Sequence, residues 1–233
     1  MENQKNTNKK KITIYAVIMV VMLLIAIGSG VVIILDRNQP ERAAEEYQTL
    51  AAEVHTGAVS VDFQLLSEKN ADVRAWIISE GTGIDYPIVQ NEDSEYYRDH
   101  LFSGSGNRFG CLYIDAAQSA DFSGRNTVIH GGALLDPIYK YAQQDYYELI
   151  PSMTLSTPEA SHTVLLYAGV RTDDIATAIR TEFADNTEFA DYISWLAENS
   201  VFDSSVTVAA GDRIVTLCAS DGTEGFVLVG KLA

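Results

Sequence analysis

The 233-residue sequence predicts a mainly β domain, a barrel or a sandwich with peripheral helices, preceded by an N-terminal transmembrane helix. Short apolar runs bounded by Gly and Asp-Gly turn signals dominate the chain after Lys69, which is typical of an all-β core. A long uncharged segment follows a lysine cluster near the N-terminus, which is typical of a membrane anchor. With 47% apolar residues and a net charge of −16, the composition excludes a disordered chain and a nucleic-acid-binding protein.

The N-terminal segment is predicted to anchor the protein in a membrane. Four of the 16 basic residues lie in the tail 1–11, and residues 12–35 carry no charge. A helix of that length spans roughly 36 Å, enough for a hydrocarbon core of about 30 Å. Because a lysine cluster stays cytoplasmic, we expect the rest of the chain outside the cell. A cleaved signal peptide is the alternative, but the run exceeds the usual apolar region and no clear cleavage site follows.

The outer part of the chain is acidic and begins with a helix. Residues 36–233 hold 12 basic and 31 acidic residues, a net charge of −19, which we interpret as a solubility feature. A cationic partner is the alternative, although no motif marks a site for it. Residues 36–61 are predicted to form a helical linker that starts near Pro40, since they are rich in Ala and Glu. Residues 62–233 then form one domain.

Periodicity places the elements of that domain. A second helix is expected over Asp62 to Lys69, and a late helix over Thr187 to Asn199, where apolar residues recur at helical spacing. Strands are expected at Ile84 to Val89, Cys111 to Ile114, Thr127 to His130, Thr163 to Val170, Arg213 to Ala219 and Phe226 to Leu232. Trp76 and Trp195 are expected to anchor the core.

An ordered set of blocks over residues 62–233 resembles the class B sortases, membrane-anchored cysteine transpeptidases on the surface of Gram-positive bacteria. The blocks are Asn70 to Ile77, Gly83 to Gln90, Tyr96 to His100, Gly110 to Asp115, Asn126 to Ile129, Arg213 to Leu217 and Phe226 to Leu232. The resemblance implies a sortase-type β-barrel. It also implies a Cys nucleophile that forms an acyl-enzyme with a sorting-signal peptide, a His that exchanges protons, and an Arg that stabilises the oxyanion.

All three catalytic positions of the family are changed in an ungapped alignment. The catalytic His ends the family pattern N-T-x-I-Y-G-H, and the aligned residue here is Gly132. The catalytic Cys ends the pattern T-L-S-T-C, and the aligned residue is Ser220. The catalytic Arg begins the pattern R-F-V-V-V-G, and the aligned residue is Gly225. The loop between the last two positions is also short, and its Asp221-Gly222 pair predicts a tight hairpin. Ser220 as a nucleophile lacks a matching base, which an alcohol needs more than a thiol does.

A shifted Cys–His pair is the alternative to this loss. His130 and Cys218 each lie two residues before the family position, which keeps the side of the strand and moves the side chain about 6.6 Å along it. If the two strands are parallel neighbours, the pair survives one step deeper in the sheet. The competing interpretation is a buried, unreactive thiol and a packed ring. No residue clearly replaces the arginine. Arg213 and Lys231 lie at the far ends of their strands, and only Arg171, which ends its strand, is expected near the site.

Two functions therefore remain open. One is a pseudoenzyme that binds a sorting-signal peptide or another surface protein, and the other is a divergent transpeptidase or hydrolase that uses Cys218 and His130. A disulfide between Cys111 and Cys218 is possible outside the cell, but two separate thiols are expected. The acidic loops around Asp93 and Asp173 lack EF-hand spacing, so neither a metal nor any other cofactor is implied.

Overall fold

The computed structural model describes residues 19–26, 36–57, 60–220 and 224–233. The chain divides into two units, residues 1–42 and residues 43–233. Residues 19–26 of the first unit are helical. Within the described ranges, no helix has the length and apolar character that crossing a membrane requires. The predicted basic tail 1–11 and most of the predicted membrane helix, residues 12–18 and 27–35, lie outside these ranges.

Five helices of the described chain flank the sheet. They are α1 (Gln39–Val54), α2 (Phe63–Lys69), α3 (Gln144–Leu149), α4 (Ile175–Ala178) and α5 (Asn186–Glu198), and two 3₁₀ segments cover Tyr96–Arg98 and Gly132–Ala142. The three helices predicted within residues 36–233 are confirmed as α1, α2 and α5. Aspartate side chains cap the N-termini of two of these helices. Asp62 accepts a hydrogen bond from Leu65 N, and Asp185 accepts one from Thr187 N. Helices α3 and α4 were not predicted, because four to six residues are too few to show a helical period.

Eight strands close into a β-barrel, which confirms the predicted barrel with peripheral helices. They are β1 (Val73–Ser79), β2 (Ile84–Val89), β3 (Leu112–Tyr113), β4 (Asn126–His130), β5 (Ser152–Ser156), β6 (Ser161–Thr172), β7 (Arg213–Ser220) and β8 (Gly225–Leu232). The order around the barrel is β1-β2-β3-β4-β7-β8-β6-β5. Strand β4 pairs parallel with β7, and β7 pairs antiparallel with β8. The predicted Asp221-Gly222 turn between β7 and β8 lies outside the described residues.

The core has two layers that meet at the sheet. Alternate residues of β4 and β7, such as Ile129 and Leu217, point into the barrel interior around the fully buried Trp76. The residues between them, such as Val128 and Cys218, face outward into a second apolar cluster that α4 and α5 cover. The expectation that Trp195 anchors the core is wrong. It lies on the outer side of α5, 39% exposed, because the apolar stripe of that helix is completed by neighbours such as Tyr192.

Helix α1 contributes directly to the core of the second unit. Its residues Ala43, Tyr47, Leu50 and Val54 recur at helical spacing and are all buried. The Tyr47 hydroxyl donates a hydrogen bond to Gly110 O at 2.5 Å. Residues 43–54 of the predicted linker therefore pack as part of the barrel domain.

Candidate functional site

Four neighbouring strands set the geometry of the candidate site. In the order β4, β7, β8 and β6, the pairing aligns His130 with Cys218, Cys218 with Val227, and Val227 with Val170. These residues form one row across the outward face of the sheet, because partners in register point the same way. The structure thus brings His130 and Cys218 together as parallel neighbours. The third place in the row holds valine instead of a cation.

The environment of Cys218 is apolar and closed. The residue is 4% exposed and lies in the outer cluster with Val128, Val227 and Tyr192. Burial raises the pKa of the Cys218 thiol to about 12, and the negative charge of Asp115 acts in the same direction. Within the described chain no hydrogen bond joins its sulfur to the His130 ring. The thiol is therefore held in its neutral, weakly nucleophilic form.

His130 turns towards β3 and the residue that follows that strand. Its ring stacks on Tyr113, with ring centroids 5.2 Å apart and an interplanar angle of 25°. Its Nε2 atom lies 3.5 Å from Asp115 Oδ2, an ion-pair distance at the long limit of a hydrogen bond. The His130 imidazole lowers the pKa of the Asp115 carboxyl below its ordinary value, chiefly through this N–H contact, while burial opposes it.

Asp115 is the functional candidate that the sequence reasoning missed. It belongs to the block Gly110 to Asp115, which carried the family resemblance but gave the carboxylate no role. Its position becomes evident only from the structure, where Tyr113, two residues before it, pairs with His130 across β3 and β4. Cys218, His130 and Asp115 are thereby gathered at one edge of the sheet, as a thiol, an imidazole and a carboxylate.

The positions at which the family pattern predicts catalytic residues form the next row towards the strand ends. Ser220 ends β7 and pairs with Gly225, which begins β8, while Gly132 opens the 3₁₀ segment after β4. Gly132 has φ +47°, a left-handed conformation that favours glycine, and a Cβ there would meet no atom within 4 Å. A Cβ on Gly225, by contrast, would overlap the Ile175 side chain of α4. The row offers no thiol, imidazole or guanidinium.

The three cations considered for the site are engaged elsewhere. Arg171 pairs with Phe226, a barrel-facing residue, so it lies on the opposite face of the sheet from Cys218. Its guanidinium contacts both carboxylate oxygens of Glu224, at 3.1 and 3.2 Å. Arg213 donates to Phe122 O, and Lys231 pairs with Asp212 at 2.6 Å. None of the three points towards the Cys218 row.

The two cysteines are separate free thiols, as expected. Cys111 lies in the barrel interior, where its thiol contacts Pro87 O at 3.7 Å, whereas Cys218 lies in the outer cluster. Burial raises the pKa of Cys111 to about 12 as well. Among the residues that the structure describes, no group of three or more His, Cys, Asp or Glu side chains is placed to hold a metal ion.

Comparisons with known proteins converge on one family. The chain is 30% identical to sortase B of Listeria monocytogenes over 186 residues, 76% of each chain. It is 25% identical to sortase B of Staphylococcus aureus over 96% of this chain and 97% of that one. The solved complex of Staphylococcus aureus sortase B with a substrate superposes with a TM-score of 0.71 at 24% identity, covering 84% of this chain and 95% of the other. No protein-family model matches the sequence.

Proposed function

The chain belongs to the class B sortase family, and we propose that it uses this fold to bind a peptide or a partner protein without the acyl transfer of the family. The observation that carries the proposal is the row Gly132, Ser220 and Gly225. A sortase reaction needs a thiolate, a proton-transferring group and an oxyanion-stabilising cation at one place. This row supplies none of them, so it can seat a ligand without reacting with it.

The state of Cys218 supports the same proposal. Because burial raises its pKa to about 12, the Cys218 thiol is neutral at pH 7. Acyl transfer by a cysteine depends on the thiolate, and among the described residues none is hydrogen-bonded to the Cys218 sulfur to stabilise it. Val227 and Tyr192 surround the sulfur instead. Cys218 therefore serves the packing of the outer cluster.

Mass spectrometry of the full chain incubated with synthetic sorting-signal peptides tests the proposal. Staphylococcus aureus sortase B, which has been solved with a substrate, is the positive control. We expect that the chain forms no covalent adduct and releases no peptide fragment, while the control enzyme does both. An acyl adduct that maps to Cys218 and disappears in C218A would overturn the proposal. Peptide binding without an adduct, measured by fluorescence anisotropy, would support it directly.

A second candidate function is a divergent transpeptidase or hydrolase based on Cys218 and His130. Two observations favour it, namely the register that pairs these residues and the contact of His130 with Asp115. In that reaction Cys218 gives its proton to His130 and attacks the peptide carbonyl, and Asp115 holds the imidazolium. The scissile C–N bond breaks, the leaving amine takes the proton from His130, and an amine or water then releases the acyl group from the sulfur. The reaction requires the outer cluster to open, because the thiol is buried in the resting structure.

We further propose that residues 12–35 anchor the chain in the cell membrane, with the tail 1–11 in the cytoplasm and the domain outside. The support is the uncharged 24-residue run and the lysines before it. Alkaline carbonate extraction of membranes that contain the full chain tests the anchor, since an integral protein stays in the pellet. Protease added to intact cells should remove the domain; a domain that stays protected would contradict the orientation.

A further inference from the structure

The space above Gly225 is filled by a side chain from another part of the same chain. An ideal Cβ on Gly225 would overlap Ile175 Cγ1 and lie 2.9 Å from Ile175 Cδ1. The family pattern predicts an arginine at position 225, so Ile175 occupies the space in which a side chain at this position would begin. The glycine at 225 and the isoleucine at 175 are therefore complementary in shape.

The segment that carries Ile175 covers the outward face of the sheet between β8 and α5. Ile175 and Ala178 of α4, and Ile179 and Phe183 after it, all join the outer cluster that contains Cys218 and Val227. This segment lies over the row that contains Cys218, and Ile175 lies over the row that contains Ser220 and Gly225. A peptide side chain that enters the place above Gly225 therefore meets Ile175.

The attachment of this segment is uneven along its length. Its second half is tied to the body of the domain, since Tyr192 OH donates to Ala178 O at 3.1 Å and Asn126 Nδ2 donates to Arg180 O at 2.7 Å. In its first half the hydrogen bonds are local, as between Ala176 N and Asp174 Oδ1. Contact of the first turn with β8 then depends on the Ile175 side chain.

We propose that Ile175 is an intramolecular occupant of the ligand site, so that the place above Gly225 is closed at rest and opens when the Ile175 end of α4 moves away. The place above Gly225 is then a site for a branched aliphatic side chain, which a bound peptide supplies when it displaces Ile175. This inference deepens the proposed function, because it concerns the ligand class and the access of the same face. Because Ile175 packs against the apolar cluster that contains Cys218, the same motion loosens the cover of this thiol, which gives the motion a chemical readout.

Modification of Cys218 by the thiol reagent MTSET measures the opening in the full chain, in a C111A background. The Cys218 thiolate attacks the reagent's divalent sulfur, a disulfide forms, methanesulfinate leaves with the bonding electrons, and the thiol proton goes to solvent. The substitution I175A shortens the side chain above Gly225 and should raise the rate of Cys218 modification at least tenfold. The conservative variants I175V and I175L should stay within about threefold of the parent, and I175N should open the site as I175A does. The matched control I179A removes an isoleucine from the tethered half and should change the rate less than threefold.

Equal rates in the parent and in I175A would overturn the proposal, and so would an equal increase in I179A, since that indicates general loosening of the segment. If I175A does not fold, amide hydrogen exchange measured on the parent chain tests the proposed opening instead. The Ile179 amide, which bonds to Ile175 O at 3.1 Å, should then exchange at least tenfold faster than the Leu217 and Val227 amides. Exchange as slow as in the strands would overturn the inference. Because neither measurement contains a peptide, its result is independent of whether the chain catalyses acyl transfer.

Discussion

His130 and Cys218 are direct partners in the parallel pairing of β4 and β7, yet the imidazole leans away from the thiol and contacts Asp115. The register alone makes a Cys–His pair geometrically available, since neighbouring strands lie about 4.8 Å apart. The side-chain environments separate the two residues chemically. The sulfur faces an apolar cluster under α5, whereas Nε2 faces a carboxylate on the other side.

The first prediction concerns the pH profile of Cys218 alkylation. Since burial raises the pKa of this thiol to about 12, the iodoacetamide rate in a C111A background should keep rising up to pH 10 without a plateau. The variant S220C, made in a C111A/C218A background, places a thiol at the exposed end of β7 and should level off near pH 8.5 to 9. Stopped-flow alkylation followed by peptide mapping measures both rates. A plateau for Cys218 below pH 8 would contradict the structure and favour the catalytic alternative.

The second prediction separates packing from catalysis at Cys218. Replacement by alanine leaves a small cavity and should lower the free energy of unfolding by about 1 kcal/mol. The near-isosteric C218S places a hydroxyl among apolar side chains and should cost more, about 1–3 kcal/mol, because its hydrogen bonds with water are not replaced. Urea denaturation followed by tryptophan fluorescence measures the difference. If C218S is as stable as the parent, the sulfur is better hydrated than the structure indicates.

The helices and strands were predictable where apolar residues recur at regular spacing along the sequence. Two strands, β1 and β5, were not predicted, and each has a physical reason. Strand β1 is buried on both faces over Ala75–Ser79, so it shows no apolar–polar alternation, and β5 is short and rich in Ser and Thr. The pairing of His130 with Cys218 followed from motif order once β4 and β7 were taken as neighbours. The role of Asp115 and the position of Ile175 did not follow, because both depend on loops whose course no local pattern determines.

The third prediction concerns the pair of Asp115 and His130. The contact lowers the pKa of Asp115, so its stabilisation is present above the ordinary aspartate pKa and is lost as pH falls through the lowered value. Because both side chains are partly exposed, a double-mutant cycle of D115N and H130Q should give a coupling energy below about 1 kcal/mol near pH 6. Urea denaturation between pH 3 and pH 7 checks it. A coupling energy that persists unchanged at pH 3 would show that the pair does not depend on the carboxylate charge.

The fourth prediction tests the fit between Gly225 and Ile175 through stability. A methyl group at 225 overlaps Ile175 Cγ1, an atom close to the backbone that cannot simply rotate aside, so G225A should cost about 1–3 kcal/mol. In an I175A background only the contact with Thr172 O at 3.2 Å remains, so the same change should cost clearly less, which makes the two substitutions non-additive. Thermal and urea unfolding of the four proteins complete the cycle. Additive effects would mean that the two side chains do not share one space.

The last prediction restores the family's catalytic row. The triple variant G132H, S220C and G225R supplies an imidazole, a thiol and a guanidinium at the aligned positions, but its arginine meets Ile175. His at 132 must also adopt the left-handed conformation of the glycine, at a cost of about 1–2 kcal/mol. We therefore expect no acyl adduct with sorting-signal peptides in the triple variant and a detectable adduct at position 220 when I175A is added. Mass spectrometry of both proteins distinguishes the outcomes, with the triple variant carrying I179A as the matched control. An adduct that forms equally well with Ile175 in place would show that this side chain does not obstruct the row.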